Sequence, residues 1–475
     1  MGLTRGGLPR WAAVVIAAAL VTAIAVIATP AEASQPQLTR YPYLTDVVTT
    51  GATLNWATDQ SQTTGYATYG AVGSEACTAH RANGSKTAIT VGARAEYQWK
   101  AKITALLPGT IYCYRLWLGQ LSGDLVDLLG DDPSPQFWSQ VAAGSATPFS
   151  FAVIGDWGSV DANGQNPNQA NLMTRIAASG ARFMLGTGDT AYNSGSQTNY
   201  GDLFQTGSTV FGPTFYKNVG DVTPMFNALG NHGRTATFLN VWPQPTAPVL
   251  SGGRYQMETY CCLNGTVSAN YPSAWYAFDA GPTRIYVLDA TWSNGNVGTA
   301  DIYKNDHDYH WCETCAEYQW LASDLAAHPG AMKFAVLHFP MYSDNATETT
   351  DPWMHGSGSV AQLFAANGVK LVFNGHAHIY ERNLPQPGEG FVSYATGGGG
   401  ANLEPIGAKG CGSYDAFGIG WSYSKNAGSR CGSAVAPTST AQVFHFLLVT
   451  VAGSQVTVTP TDSLGNTFDR QTYTF

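Results

Sequence analysis

The chain has 475 residues, room for roughly three domains of about 150 residues each and far more than a single small module needs. Charged residues make up 12% and apolar residues 44%, against a usual charged share of about 25%, so the composition excludes an intrinsically disordered chain. The net charge of −9 comes without any run of Lys or Arg, which leaves no basic footprint for a nucleic-acid duplex.

At the start of the chain, Arg5 and Arg10 precede an apolar run over residues 11–28 that is broken only by Thr22, and Ala31-Glu32-Ala33 then offers small residues at a cleavage position. Residues 1–33 are predicted to be a secretory signal, and the body to be secreted. An uncleaved N-terminal anchor is the alternative, and the only way the chain would meet a membrane, because no later stretch approaches the roughly 20 apolar residues a spanning helix needs. The eight cysteines are an even number, which in an exported chain predicts disulfides. Cys77 and Cys113 stand alone together in the N-terminal region and suggest a pair; Cys312-x-x-Cys315 lacks the second CxxC or His pair of a zinc finger and reads as disulfide-forming. Asn83, Asn264 and Asn345 open glycosylation triplets.

Over residues 35–143, short runs of alternating apolar and polar residues are separated by turn-formers, the pattern of a small β-sandwich. Its Pro108-Gly109 turn, leading into a strand with alternating tyrosines, is similar to a fibronectin type III module. A linker over 144–148 follows. The next segment, 149–400, changes character: strands are predicted over 149–154, 182–185, 225–229, 284–288, 333–337 and 370–373, and helices over 168–178, 316–327 and 360–366, which is α/β organisation. Residues 401–475 read as Gly-rich loop, extending from 397 to 432, and then strands over 442–459 and 467–475 that complete the second domain. Residues 194–224 and 251–271 are expected to be loops over the site.

Ligands of an α/β sheet bind beyond the carboxyl ends of its strands, and the residues at these ends are all metal-ligand types. The successive ends carry Gly155-Asp156, Gly188-Asp189-Thr190-Ala191-Tyr192, Gly230-Asn231-His232, His338, and Gly375-His376-Ala377-His378-Ile379-Tyr380-Glu381-Arg382. Each alone has an ordinary structural reading as a turn, cap or core residue. Asp, Asp, Asn-His, His and His-x-His in sequence, four of them beside glycines that admit close approach of the backbone, are hard to reach by packing alone.

In these motifs the chain resembles the calcineurin-like metallophosphoesterases and, through Gly-Asp-x-x-Tyr and Gly-His-x-His-x-Tyr-Glu-Arg, their purple acid phosphatase branch. The resemblance implies a fibronectin III-like β-sandwich followed by a four-layer α/β/β/α metallophosphoesterase domain. It also implies a dinuclear centre in which Asp156, Asp189, Tyr192 and His378 hold one metal and Asp189, Asn231, His338 and His376 the other, with Asp189 bridging. Two carboxylates and a phenolate suit Fe(III) at site one; an amide and two imidazoles suit divalent Zn, Fe or Mn at site two. The activity implied is acid phosphatase action on small-molecule phosphomonoesters by attack of a metal-bound hydroxide, with His232 binding phosphate or protonating the leaving alkoxide. A phosphodiesterase or nucleotide hydrolase with the same centre is the alternative, followed by a non-catalytic extracellular binding protein. Three departures bear on this choice: Gly233 stands where the family has Glu, Ala335 stands where it has Val, and residues 345–351 lack the histidines many plant-type members carry. His355 is the nearest histidine to that gap. The sequence does not indicate an oligomeric state.

Overall fold

The computed structural model describes residues 35–475 except 74–76, 120–122, 160–165, 205–209, 214–215, 233–240, 243–253, 263–264, 290–315 and 351–353, and the side chains of 218, 254–274 and 316. The predicted signal, Gly233 and the side chains of Cys261, Cys262, Cys312 and Cys315 therefore lie outside the described residues. No helix among the described residues is long and apolar enough to cross a membrane.

The N-terminal segment folds as a β-sandwich. Strands Leu38–Thr45, Gly51–Thr58, Arg94–Thr104 and His80–Val91 pair in that order, and Gly65–Ala71, Ile111–Gly119 and the short Leu125–Asp127 continue from there. Alternation places Leu54, Trp56, Trp99, Tyr114 and Leu116 in its core, where Trp56 and Trp99 stack with ring centroids 5.9 Å apart. The predicted Cys77–Cys113 disulfide is present, and a second one joins Cys411 to Cys431. The segment expected to be a linker is pinned instead, since Gly144 donates its N–H to the Gly281 carbonyl at 2.7 Å.

In the following segment two sheets pack face to face. Phe149–Ile154 lies parallel to Met184–Gly186, which lies parallel to Met225–Asn227, while His445–Ala452 and Gln455–Asp462 extend the other edge antiparallel. The second sheet runs Gly265–Ala280, Thr283–Val287, Met332–Leu337, Val369–Asn374, Val392–Thr396 and Tyr380–Asn383. Phe151, Phe183, Phe226, Phe278, Phe334 and Phe373 fill the space between them. Helix Pro167–Ala178 starts at Asn166, whose side chain accepts the Gln169 N–H at 3.1 Å, with Pro167 in the first turn. It buries Leu172, Met173 and Ile176 against the outer face of the first sheet. Helices Ala316–Ala327 and Val360–Ala366 cover the outer face of the second through Leu321, Leu325, Val360 and Phe364. The layers are thus α/β/β/α.

Three expectations need correction. Residues 397–432 are not all loop: Asp415–Ser422 and Ala427–Gly432 form an antiparallel hairpin at the edge of the second sheet. Residues 251–271 contain strand Arg254–Cys262 paired with the first half of Gly265–Ala280. Pro272 within its second strand obscures the hairpin in the sequence. Residues 194–224 hold two single-turn helices, Gln197–Tyr200 and Lys217–Gly220. The strand pattern expected over 442–459 forms His445–Ala452 and the first part of Gln455–Asp462, divided by a turn at Gly453 with φ 61°.

Candidate metal centre

The strand-end residues converge from both sheets at one rim of the sandwich. Asp156 follows Phe149–Ile154, Asp189 follows Met184–Gly186, Asn231 follows Met225–Asn227, His338 directly follows Met332–Leu337, and His376 and His378 follow Val369–Asn374. Asp156, Asp189 and His376 have φ of 56°, 47° and 65°, left-handed values that cost a non-glycine residue on the order of 1 kcal/mol each. That conformation turns the chain sharply at the strand end and aims its carboxylate or imidazole back over the sheet. Neighbouring glycines leave the space: a Cβ on Gly230 would overlap the Asp189 carboxylate, and one on Gly375 would sit 2.5 Å from Asp156 Oδ2.

The donors form two knots. In the first, Tyr192 Oη donates to Asp156 Oδ1 at 3.0 Å and lies 3.2 Å from His378 Nε2, which is itself 3.4 Å from Asp156 Oδ1. In the second, His338 Nε2 lies 2.8 Å from Asn231 Oδ1 and 3.4 Å from Asp189 Oδ2, and ligand atoms of Asp189, His338 and His376 all fall within 4.8 Å of one another. All seven predicted ligands are thus brought together. Each carboxylate uses one oxygen on a backbone N–H, Asp156 Oδ2 from His376 at 2.9 Å and Asp189 Oδ1 from His232 at 2.7 Å, and turns the other toward the knot.

The imidazoles are set for coordination by what lies behind them. His338 Nδ1 contacts the Thr187 carbonyl at 2.8 Å and His378 Nδ1 the Asn402 carbonyl at 2.7 Å, which places the proton on Nδ1 and leaves Nε2 as the ligand nitrogen. Burial by itself would lower both histidines, but Asp189 outweighs it at His338 and Asp156 at His378, raising each to about 9. Burial opposes ionisation of Asp189, yet the adjacent His338 holds its carboxyl below the usual carboxylate range. Burial, then Asp156 and Asp189, push the Tyr192 hydroxyl well up. Carboxylates that pair with no Arg or Lys among the described residues, a phenol and Nε2 atoms turned toward the knots fit a pair of metal ions, whose binding would displace these protons.

His232 sits beside the centre, its ring centroid 4.7 Å from that of Tyr192 and its Nδ1 2.6 Å from the Asn193 carbonyl. His355 does not join the site: Nδ1 meets Glu389 at 3.0 Å and Nε2 the Met341 carbonyl at 2.6 Å. The residue that fills the gap left by the absent histidines is Glu348, whose Oε2 lies 2.7 Å from His376 Nε2. Sequence reasoning missed it by looking in that loop for histidines alone; its signal was an acidic residue ten positions after His338. Asn345 is 1% exposed and its side chain caps its own loop and bonds Glu404, so this glycosylation triplet is closed to modification.

A model of calcineurin-like phosphoesterases matches residues 149–380, and a model of the purple acid phosphatase N-terminal domain matches residues 40–142. No curated protein matches the chain. Among solved structures, purple acid phosphatase PPD1 from yellow lupin (Lupinus luteus) seeds superposes with a TM-score of 0.65 at 16% identity, over 92% of this chain and 74% of that one, which shows a shared fold. A conserved uncharacterized protein from Streptococcus pneumoniae, a predicted phosphoesterase, reaches only 0.26 at 8% identity over 69% of this chain and 99% of its own. With both models matched in their order along the chain, the protein carries a purple acid phosphatase N-terminal domain followed by a calcineurin-like phosphoesterase domain, and is a phosphoesterase.

Proposed function

We propose that this protein is a secreted acid phosphatase that hydrolyses small-molecule phosphomonoesters at a dinuclear centre. Asp156, Asp189, Tyr192 and His378 hold Fe(III), and Asp189, Asn231, His338 and His376 hold divalent Zn, Fe or Mn. The observation that carries the reading is the pair of donor knots, with both Nε2 atoms freed by carbonyls behind their rings. When bound, two such ions supply Lewis acidity to the phosphoryl oxygens and activate the attacking water. The chain does the rest: buried strand ends fix the donors, and His232 lies at the rim to bind a phosphate oxygen or to give its proton to the leaving alkoxide. Export is supported by the charged and apolar character of residues 1–33.

A phosphodiesterase is the second reading, and Glu348 favours it. A carboxylate beside His376 repels the doubly charged phosphate of a monoester more than the singly charged phosphate of a diester. The deciding experiment compares hydrolysis of an aryl phosphomonoester and its matched diester across the acid-to-alkaline range, on protein of verified metal content. Monoester preference with an acidic optimum is expected. Diester preference with a near-neutral optimum selects the second reading, and no turnover of either by fully loaded protein overturns both.

A further inference from the structure

A second cluster of acids lies apart from the donor knots. Asp344 begins the loop that carries Glu348, Glu381 lies in strand Tyr380–Asn383 three residues after His378, and Asp415 starts the edge hairpin next to the Cys411–Cys431 disulfide. Ligand oxygens of all three come within 4.8 Å of one another. Glu381 is 0% exposed.

The hydrogen bonds of the cluster do not satisfy it. Asp344 Oδ1 accepts the Tyr414 hydroxyl at 2.6 Å, Asp344 Oδ2 accepts the Gly412 N–H, and Glu381 Oε2 accepts the Asp344 N–H at 3.0 Å. Glu381 Oε1 and both oxygens of Asp415 are buried with no donor. Three acceptor oxygens turned on one another in a dry interior are costly unless something positive lies among them. One proton shared between Glu381 and Asp415 makes a single O–H···O bond and leaves the third oxygen unpaired. A cation contacts all three. The set is oxygen-only and made of carboxylates, which matches the ligand preference of Ca²⁺ over the softer metals suited to His-bearing sites.

We propose that Asp344, Glu381 and Asp415 form a calcium-binding site separate from the catalytic centre. Bound there, calcium ties the loop bearing Glu348, the strand continuing from His378 and the disulfide-closed loop to one point. The proposal does not depend on the phosphoesterase reading, because calcium is measured directly and without substrate.

The test uses the full chain with its catalytic metals loaded, stripped of calcium with EGTA and dialysed against radioactive Ca²⁺ at neutral pH. One calcium per chain is expected, at a dissociation constant of about 1 mM or tighter, together with a rise in the thermal unfolding midpoint. Affinity should fall at least about tenfold in Asp415→Asn and in Glu381→Gln, while Asp189→Asn, which strikes the catalytic centre, should retain the calcium. Asp344→Asn is the alternative should either variant fail to fold, and the wild-type measurement decides on its own as well. Absence of bound calcium at about 1 mM means that protons alone hold the cluster and overturns the proposal. So does calcium that is lost in Asp189→Asn but kept in Asp415→Asn.

Discussion

Glu348 and Tyr192 show how single side chains set what this centre does. Glu348 is 38% exposed, so its charge is partly screened, yet its oxygen touches Nε2 of His376. Glu348→Gln is expected to lower KM for an aryl phosphomonoester about tenfold relative to the matched diester, with steady-state kinetics on both as the check; an unchanged ratio places the carboxylate outside the substrate's reach. Tyr192 has an ordinary phenol pKa of about 10, and its burial beside Asp156 and Asp189 pushes it higher, so only a strong Lewis acid can ionise it. Tyr192→Phe should abolish the visible charge-transfer absorption of the ferric protein while keeping part of the hydrolysis. An iron-loaded wild type that is colourless when ferric refutes the assignment. The seven donors were legible in the sequence because each lies at a strand end in a motif. The atoms that orient them were not: the Thr187 and Asn402 carbonyls belong to backbone that any residue supplies.

Among the elements, the short buried strands and the three longer helices were read nearly to their ends, because apolar periodicity and caps are local. The hairpin Asp415–Ser422 was missed for a tertiary reason. Its Phe417, Ile419 and Trp421 alternate as a strand should, but Gly418 and Gly420 between them suggest loop. These glycines are there for space: a Cβ on Gly418 would lie 2.5 Å from Ile406 Cδ1, and one on Gly420 would strike the Glu404 carbonyl. The same logic predicts the behaviour of the turn after Met225–Asn227. Gly230→Ala should displace the Asp189 carboxylate, cost about 1–3 kcal/mol by overpacking and release metal, seen as sub-stoichiometric metal by elemental analysis with native circular dichroism. Full metal content in that variant contradicts the bridging position of Asp189.

For the molecule as a whole, buried carboxyls make acid the favoured condition. Burial raises Asp46 to about 6, Asp221 to about 7 and Asp415 to about 6, and it also raises Glu96 and Glu381, each next to another carboxylate. Each folded value lies above the unfolded one near 4, so the stability these groups contribute is complete below about pH 4 and is lost as pH climbs through about 6 to 8. His445 acts oppositely: burial lowers it to about 4, so its contribution is present above about 6.5 and is lost toward 4. Asp189, Glu348 and Glu389, held below the usual carboxylate range, likewise lose their contribution only below about pH 4, so the thermal midpoint is expected to peak near pH 5 to 6 and to fall by several degrees at pH 8.5 in calcium-free buffer. A midpoint that rises steadily to pH 8.5 refutes it.

The sandwich adjoins the catalytic sheet through the parallel bridge of Thr45 to Met225, and fully buried Arg40 reaches the carbonyls of Gln197 and Gly201. Tyr43 packs on Phe211, Tyr216 and Trp242 and donates its hydroxyl to the Val241 carbonyl, while Tyr114 donates to Asp221. An aromatic, hydrogen-bonded seam of this kind offers no hinge, so the two modules do not open and shut around a substrate as jaws would. Turnover should therefore be insensitive to solvent viscosity beyond the effect of diffusion alone.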